Sequence, residues 1–90
     1  MRIKHKGLWR FVEHGSAQGI DAAMTGKLKR ILRSLAAASS PSQLDNPGWR
    51  VHPLRGELEG YWSVRVNRNW RVTFRFENGE AVDVDLIDYH

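Results

Sequence analysis

The 90-residue sequence contains no cysteine. That absence excludes disulfides and thiolate metal sites, the two covalent supports on which small folds often depend. It also makes a reducing, cytoplasmic compartment the natural expectation. Long hydrophobic runs are missing as well, and nothing approaches the ~20 apolar residues that span a bilayer. No apolar core of a secretory leader follows the basic N-terminal residues, so no membrane partner is expected. Repeats, low-complexity tracts and linkers are also lacking, and residues 1–90 read as one domain. A chain this short buries only about 60–65% of the surface it exposes when unfolded. Its 41% hydrophobic content is nonetheless enough to form a core.

What the chain does have is positive charge, placed unevenly. Fourteen Lys+Arg stand against ten Asp+Glu, a net charge of +4. Residues 1–36 carry eight basic and two acidic side chains, and residues 37–90 carry six and eight. Every basic residue after Lys29 is Arg. A basic face on a small domain points to a polyanionic partner. Lys27, Lys29, Arg30 and Arg33 are the candidates for such docking, although charge alone fits equally well the solvated outer face of a helix.

The apolar pattern gives the elements. Ile3 marks a short strand over Arg2–Lys4. Leu8, Phe11 and Val12 predict a short helix stopped near Gly15. Met24, Leu28, Ile31, Leu32 and Leu35 form one stripe on a second helix, with Asp21 as its N-cap. After the Asn46-Pro47-Gly48 turn the period changes from 3.6 to 2. Three strands follow, around Trp62–Val66, Trp70–Phe76 and Val82–Leu86, each with one apolar and one polar face.

Opposed residues on antiparallel strands share a face, so parity tests the turns. A three-residue Asn67-Arg68-Asn69 loop, with an Asn available for a left-handed position, sets Trp62 against Phe74 and Val64 against Val72. A two-residue Asn78-Gly79 turn would set Phe74 against Asp83. The pattern therefore predicts a three-residue Glu77-Asn78-Gly79 loop with Gly79 in a bulge. That loop pairs Phe74 with Val82, Val72 with Val84, Trp70 with Leu86 and Arg71 with Asp85. The expected fold is α+β: a single small βααβββ domain, an antiparallel sheet with two helices packed on one face and the other face open.

The open face carries Arg65, Arg71 and Arg75, with Arg68 in the adjoining turn. Beside Trp and Tyr, these cations suit single-stranded nucleic acid. Cross-strand pairing with Asp83 and Asp85 would neutralise only part of that charge. A second group comprises His52, Arg55 and the final Asp88-Tyr89-His90. Metal-free RNA cleavage needs a base for the ribose 2′-hydroxyl, an acid for the 5′-leaving oxygen and cations around the phosphorane. His52, His90 and Asp88 can move protons, and Arg55 and Arg71 can supply charge. A metal held by His52, His90 and Asp88 is the alternative use of those residues, but nothing fixes its geometry, so no metal or cofactor is expected.

Four segments together resemble a known family. They are Pro47–Gly56 (PGWRVHPLRG), Trp62–Asn67 (WSVRVN), Asn69–Phe76 (NWRVTFRF) and Val84–His90 (VDLIDYH). In this order, and with the Lys4–Leu8 segment, they resemble the HigB toxins of bacterial toxin–antitoxin pairs, members of the RelE-like superfamily also called plasmid-maintenance killer proteins. The resemblance implies the same βααβββ fold and metal-independent cleavage of mRNA in the ribosomal A site. It implies that His52, Asp88, Tyr89 and His90 are catalytic, with Arg71 and Arg55 on the phosphate. The family often has Lys where Arg55 stands. The resemblance further implies a HigA-type helix-turn-helix antitoxin, the 70S ribosome and mRNA as partners, with operator DNA reached only through the toxin–antitoxin complex. The competing expectations are a non-enzymatic poison of the same fold, like the gyrase-inhibiting ParE proteins, and an RNA-binding module without catalysis.

Overall fold

The computed structural model describes residues 1–88. Helix α1 spans Lys6–His14. His5 Nδ1 accepts a hydrogen bond from the Leu8 amide at 3.1 Å and caps its start. Gly15 ends it at φ 68°, a left-handed conformation that glycine adopts without strain. The amides of Gly15 and Ser16 close that end on Phe11 and Arg10 carbonyls. A single 3-10 turn, Ala22–Met24, leads into helix α2 at Thr25–Ala37. Asp21 Oδ1 accepts from the Ala23 amide at 2.9 Å, so the expected cap holds the turn that feeds α2. The whole predicted stripe, Met24 to Leu35, is buried.

Four antiparallel strands follow in spatial order β1-β2-β3-β4. They are β1 His52–Pro53, β2 Trp62–Arg65, β3 Trp70–Glu77 and β4 Glu80–Asp88. Both helices cover one sheet face. Leu8, Leu28, Ile31 and Leu35 share one core with Val64, Val72, Phe74 and Val84. The expected α+β layering is therefore present.

Three details differ from the sequence pattern. First, the N-terminal strand shrinks to one parallel bridge, Ile3 to Val84. Hydrogen bonds join Arg2 and Lys4 to β4, but α1 begins at Lys6 and leaves no length for a ladder. In exchange, β1 forms on the other edge, pairing His52 with Ser63 and Pro53 with Trp62.

Second, the Asn67–Asn69 loop has the expected length and register, with Trp62 opposite Phe74 and Val64 opposite Val72. No Asn there is left-handed, however. The side chain of Asn67 closes the loop instead, its Oδ1 accepting from the Asn69 and Trp70 amides at 3.0 Å each.

Third, the β3–β4 hairpin is the two-residue form that parity argued against. Asn78 and Gly79 sit at φ 53° and 75°, the pair of positive angles that a type I′ turn requires. Parity is restored further along. The register shifts between Thr73 and Arg75, and Asp83 takes the extra position at φ 51°. Beyond this β-bulge Val72 faces Leu86, Thr73 faces Asp85 and Arg71 faces Ile87, so the expected Arg71–Asp85 opposition does not form.

Candidate active site

The sheet face away from the helices carries His52, Ser63 and Thr73 in one row, with Arg65 and Arg71 in the next. Arg65 and Arg71 lie directly opposite each other. Like charges in that position repel. Both guanidinium groups also turn toward the same backbone carbonyl: Arg65 Nε and Arg71 Nη1 donate to Asn67 O at 3.3 and 3.2 Å. Asn67 thus shapes the loop with its side chain and gathers two cations with its carbonyl.

Lys27, from the N-terminal part of α2, joins them. Its ammonium donates to the Gly48 carbonyl at 3.3 Å. Burial pushes its pKa down, and the neighbouring cations Arg65, Arg30 and Arg71 push it the same way. A lysine paired for stability would shift upward. Cations gathered this closely disfavour one another's charge and favour an anion among them. Lys27 therefore belongs with the sheet arginines and not with a separate helical patch. Lys29 and Arg33 point elsewhere, lining a cavity of about 380 Å³ between the two helices with Phe11, Val12 and Leu32. Arg30 is exposed on the same helix. The four residues expected to dock together are therefore divided between two surfaces.

His52 is exposed on β1, and one of its ring nitrogens is engaged. Its Nδ1 lies 2.8 Å from the Arg50 carbonyl. A carbonyl cannot donate, so Nδ1 carries the proton of this bond and Nε2 of the neutral ring is the free acceptor. On this face Ser63 is 1% exposed, and among the described residues its Oγ has no hydrogen-bond partner.

Arg55 is exposed at the start of a 3-10 turn, lining a hollow of about 450 Å³ with Pro53, Tyr61 and Trp62. Arg68 is exposed in the β2–β3 loop. Arg75 is engaged elsewhere: it contacts Asp83 at 2.7 Å and Glu77 at 3.0 Å. Tyr61 also donates to Asp83, at 3.3 Å. This network raises the pKa of Arg75, mainly through its hydrogen bond to Asp83, and lowers that of Asp83 through the same bond. Cross-strand ion pairing thus accounts for Arg75, as one of the two sequence readings allowed. Asp88 ends β4 opposite Trp70, one position beyond the Arg71–Ile87 pair. Tyr89 and His90 lie outside the described residues. Among the described residues, no three His, Asp or Glu side chains gather as a metal site would need.

Sequence reasoning did not single out Arg50 or Asn67 for the site, because each contributes a backbone carbonyl. Only the Pro47-Gly48 turn signal two residues earlier hinted at a special backbone near Arg50.

Comparison with known proteins gives a consistent answer. A family model described as the RelE-like toxin of type II toxin–antitoxin system HigB matches residues 1–90. The chain is 39% identical over 88 residues to the endoribonuclease HigB of Proteus vulgaris, covering 98% of this chain and 96% of that protein. It is 34% identical over 88 residues to toxin HigB-1 of Vibrio cholerae, covering 96% and 93%. Among solved structures, a YoeB/ParE toxin from Agrobacterium tumefaciens superposes with a TM-score of 0.61 at 24% identity, over 100% of this chain and 99% of that one. A YafQ mutant from E. coli gives 0.62 at 21%, over 98% and 93%. These two likenesses concern the fold.

Proposed function

The chain belongs to the HigB-like family of RelE-like toxins of type II toxin–antitoxin systems and is an endoribonuclease, and from that premise we propose that it cleaves mRNA in the ribosomal A site without a metal, with His52 as the base. The observation that supports this most directly is the 2.8 Å contact between His52 Nδ1 and the Arg50 carbonyl. It leaves Nε2 as a lone-pair acceptor on the exposed face, the form a general base needs.

The steps follow from the residues. Nε2 of His52 takes the proton of the ribose 2′-hydroxyl, and the oxygen attacks the adjacent phosphorus. Negative charge builds on the non-bridging oxygens. Arg65 and Lys27, with Arg71 beside them, offset that charge. Arg55 borders the hollow beside Tyr61 and Trp62, where a nucleobase can stack and its phosphate can meet the guanidinium. The 5′-leaving oxygen then needs a proton. His90 takes that role in this proposal, with Asp88 orienting it and Tyr89 stacking or hydrogen-bonding the substrate. Arg68, in the exposed loop, extends the track for the message. Arg75 holds the hairpin and has no part in gripping RNA.

The partners belong to the same reading: a HigA-type helix-turn-helix antitoxin, the 70S ribosome with its mRNA, and operator DNA only through the antitoxin complex. The reaction takes place in the cytoplasm, where ribosomes are. Primer extension on mRNA, with purified ribosomes, tests it. Wild type should give new ends within codons only when ribosomes are present, and chelator should not abolish them. His52→Gln should lower cleavage by about 100-fold, within the range of a lost general base. Ends of equal strength from wild type and His52→Gln would overturn the assignment of His52. Growth arrest without new ends, together with inhibited gyrase, would favour the non-enzymatic poison.

A further inference from the structure

We propose that Arg50 is a positioning residue, which acts through its backbone carbonyl to fix the tautomer of His52. Arg50 sits at φ 49°, a left-handed conformation uncommon for any residue but glycine, Asn or Asp. Non-glycine residues held there cluster at functional sites and persist only where their surroundings over-determine them. The surroundings here do so on both sides. On the N-terminal side, the Trp49 side chain is buried in the core, and the Trp49 carbonyl accepts from the Arg65 amide at 2.7 Å. The Trp49 amide donates to Asn46 O at 3.1 Å, and Lys27 holds the Gly48 carbonyl at 3.3 Å. On the C-terminal side, His52 and Pro53 are paired to β2, and the Leu54 amide donates to Tyr61 O at 2.8 Å.

The geometry has a chemical result. The left-handed turn directs the Arg50 carbonyl back over the residue two ahead, at 2.8 Å from Nδ1. Whichever ring nitrogen donates leaves the other as the acceptor. An extended Arg50 would carry that carbonyl away, and the His52 ring would be free to place its proton on Nε2. The base would then present an N–H where it needs a lone pair. Cores of helix and sheet thus meet at one backbone angle that sets the protonation pattern of an exposed ring. The Arg65 backbone and Lys27, both lining the cationic cluster, help to hold the same turn, which links the base to the phosphate-binding charges.

This inference rests on His52 being the base, and the experiment separates the two. Ring-nitrogen NMR on ¹⁵N-histidine-labelled protein reads the tautomer directly, and single-turnover cleavage on ribosomes reads kcat and KM. Arg50→Gly and Arg50→Val remove the same guanidinium, so the difference between them isolates the backbone. Glycine adopts positive φ freely and valine resists it. Arg50→Gly should keep the Nδ1–H form and stay within about threefold of wild-type kcat. Arg50→Val should show mostly Nε2–H, with kcat down about tenfold and KM little changed, the loss expected when a ring loses its orienting partner. Should the valine variant not fold, Arg50→Ala, which also disfavours positive φ, takes its place with the same order of effects. An unchanged tautomer in the folded variant overturns the inference, as does a changed tautomer with wild-type cleavage. Wild-type cleavage by His52→Gln instead overturns the reading of His52 and leaves the tautomer result to be judged by NMR alone.

Discussion

Lys27 shows how one side chain can be costly to the fold and useful to the site. Burial and three neighbouring arginines depress its pKa. For a lysine, a folded pKa below the unfolded one means that the charged form weakens the folded state. That penalty holds at every pH below the folded value and fades as pH rises through it. Lys27→Met removes the penalty together with the hydrogen bond to Gly48 O, so stability should hold or rise by up to about 1 kcal/mol, or about 4–8 °C in Tm for a domain of this size. RNA affinity should fall in the same variant. Calorimetry and a filter-binding titration check the two halves; a large loss of Tm would show that Lys27 is structural. Nothing in the sequence reveals this, because Lys27 and Lys29 look alike in a charge count. Only the packing of α2 separates Lys27, beside the sheet arginines, from Lys29, on the inter-helix cavity.

At the scale of the element, the β3–β4 hairpin carries the most information. The Asn78-Gly79 signal for a two-residue turn and the alternation of apolar residues make opposite demands on register, and the chain meets both by inserting a bulge at Asp83. Asp is among the few residues that tolerate the left-handed angle required there. Arg75 and Tyr61 then hold its carboxylate. The Arg75 guanidinium keeps the Asp83 pKa below the usual carboxylate value. A depressed folded pKa contributes stability above the unfolded value, and the contribution is lost as pH falls through the folded one. Glu80, held by the N-terminal ammonium, titrates with the same sign. The urea midpoint should therefore fall from about pH 4 downward. Asp83→Asn keeps the backbone preference and removes the charge, so its midpoint should fall less over that range. Parallel curves for the two proteins would show that the pair contributes nothing measurable, as some exposed pairs do. The three long strands and their faces were legible in the alternation. The bulge was not, because a sequence pattern reports which residues are apolar and not where one residue is looped out.

The molecule as a whole is two-sided. Helices fill one sheet face with core, and cations occupy the other. Binding that rests on such a face depends on releasing counterions, so log affinity should fall linearly with log salt. Arg65→Ala should reduce that slope by about one, the signature of one lost phosphate contact. Arg75→Ala should leave it unchanged, because Arg75 is held by Asp83 and Glu77. Titrations of a short single-stranded RNA between low and physiological salt check this, and equal slopes for both variants and wild type would count against the cationic face as the RNA surface.

The sequence by itself determined the two helices, the three long strands, the layering and the kind of chemistry. Apolar spacing fixes which residues turn inward, because burial dominates the energetics of a short chain. With cysteine absent, the sequence points to His, Tyr, Asp and Arg as the groups for that chemistry. The tertiary structure decided which of the polar groups lie together. It placed Lys27 with Arg65 and Arg71, assigned Arg75 to Asp83, set Asp85 opposite Thr73 and not Arg71, and turned the Arg50 carbonyl onto His52. Each of these depends on a register, a packing contact or a backbone angle set by residues distant in the chain. No local pattern encodes them, because the forces that settle them act only once the chain has folded.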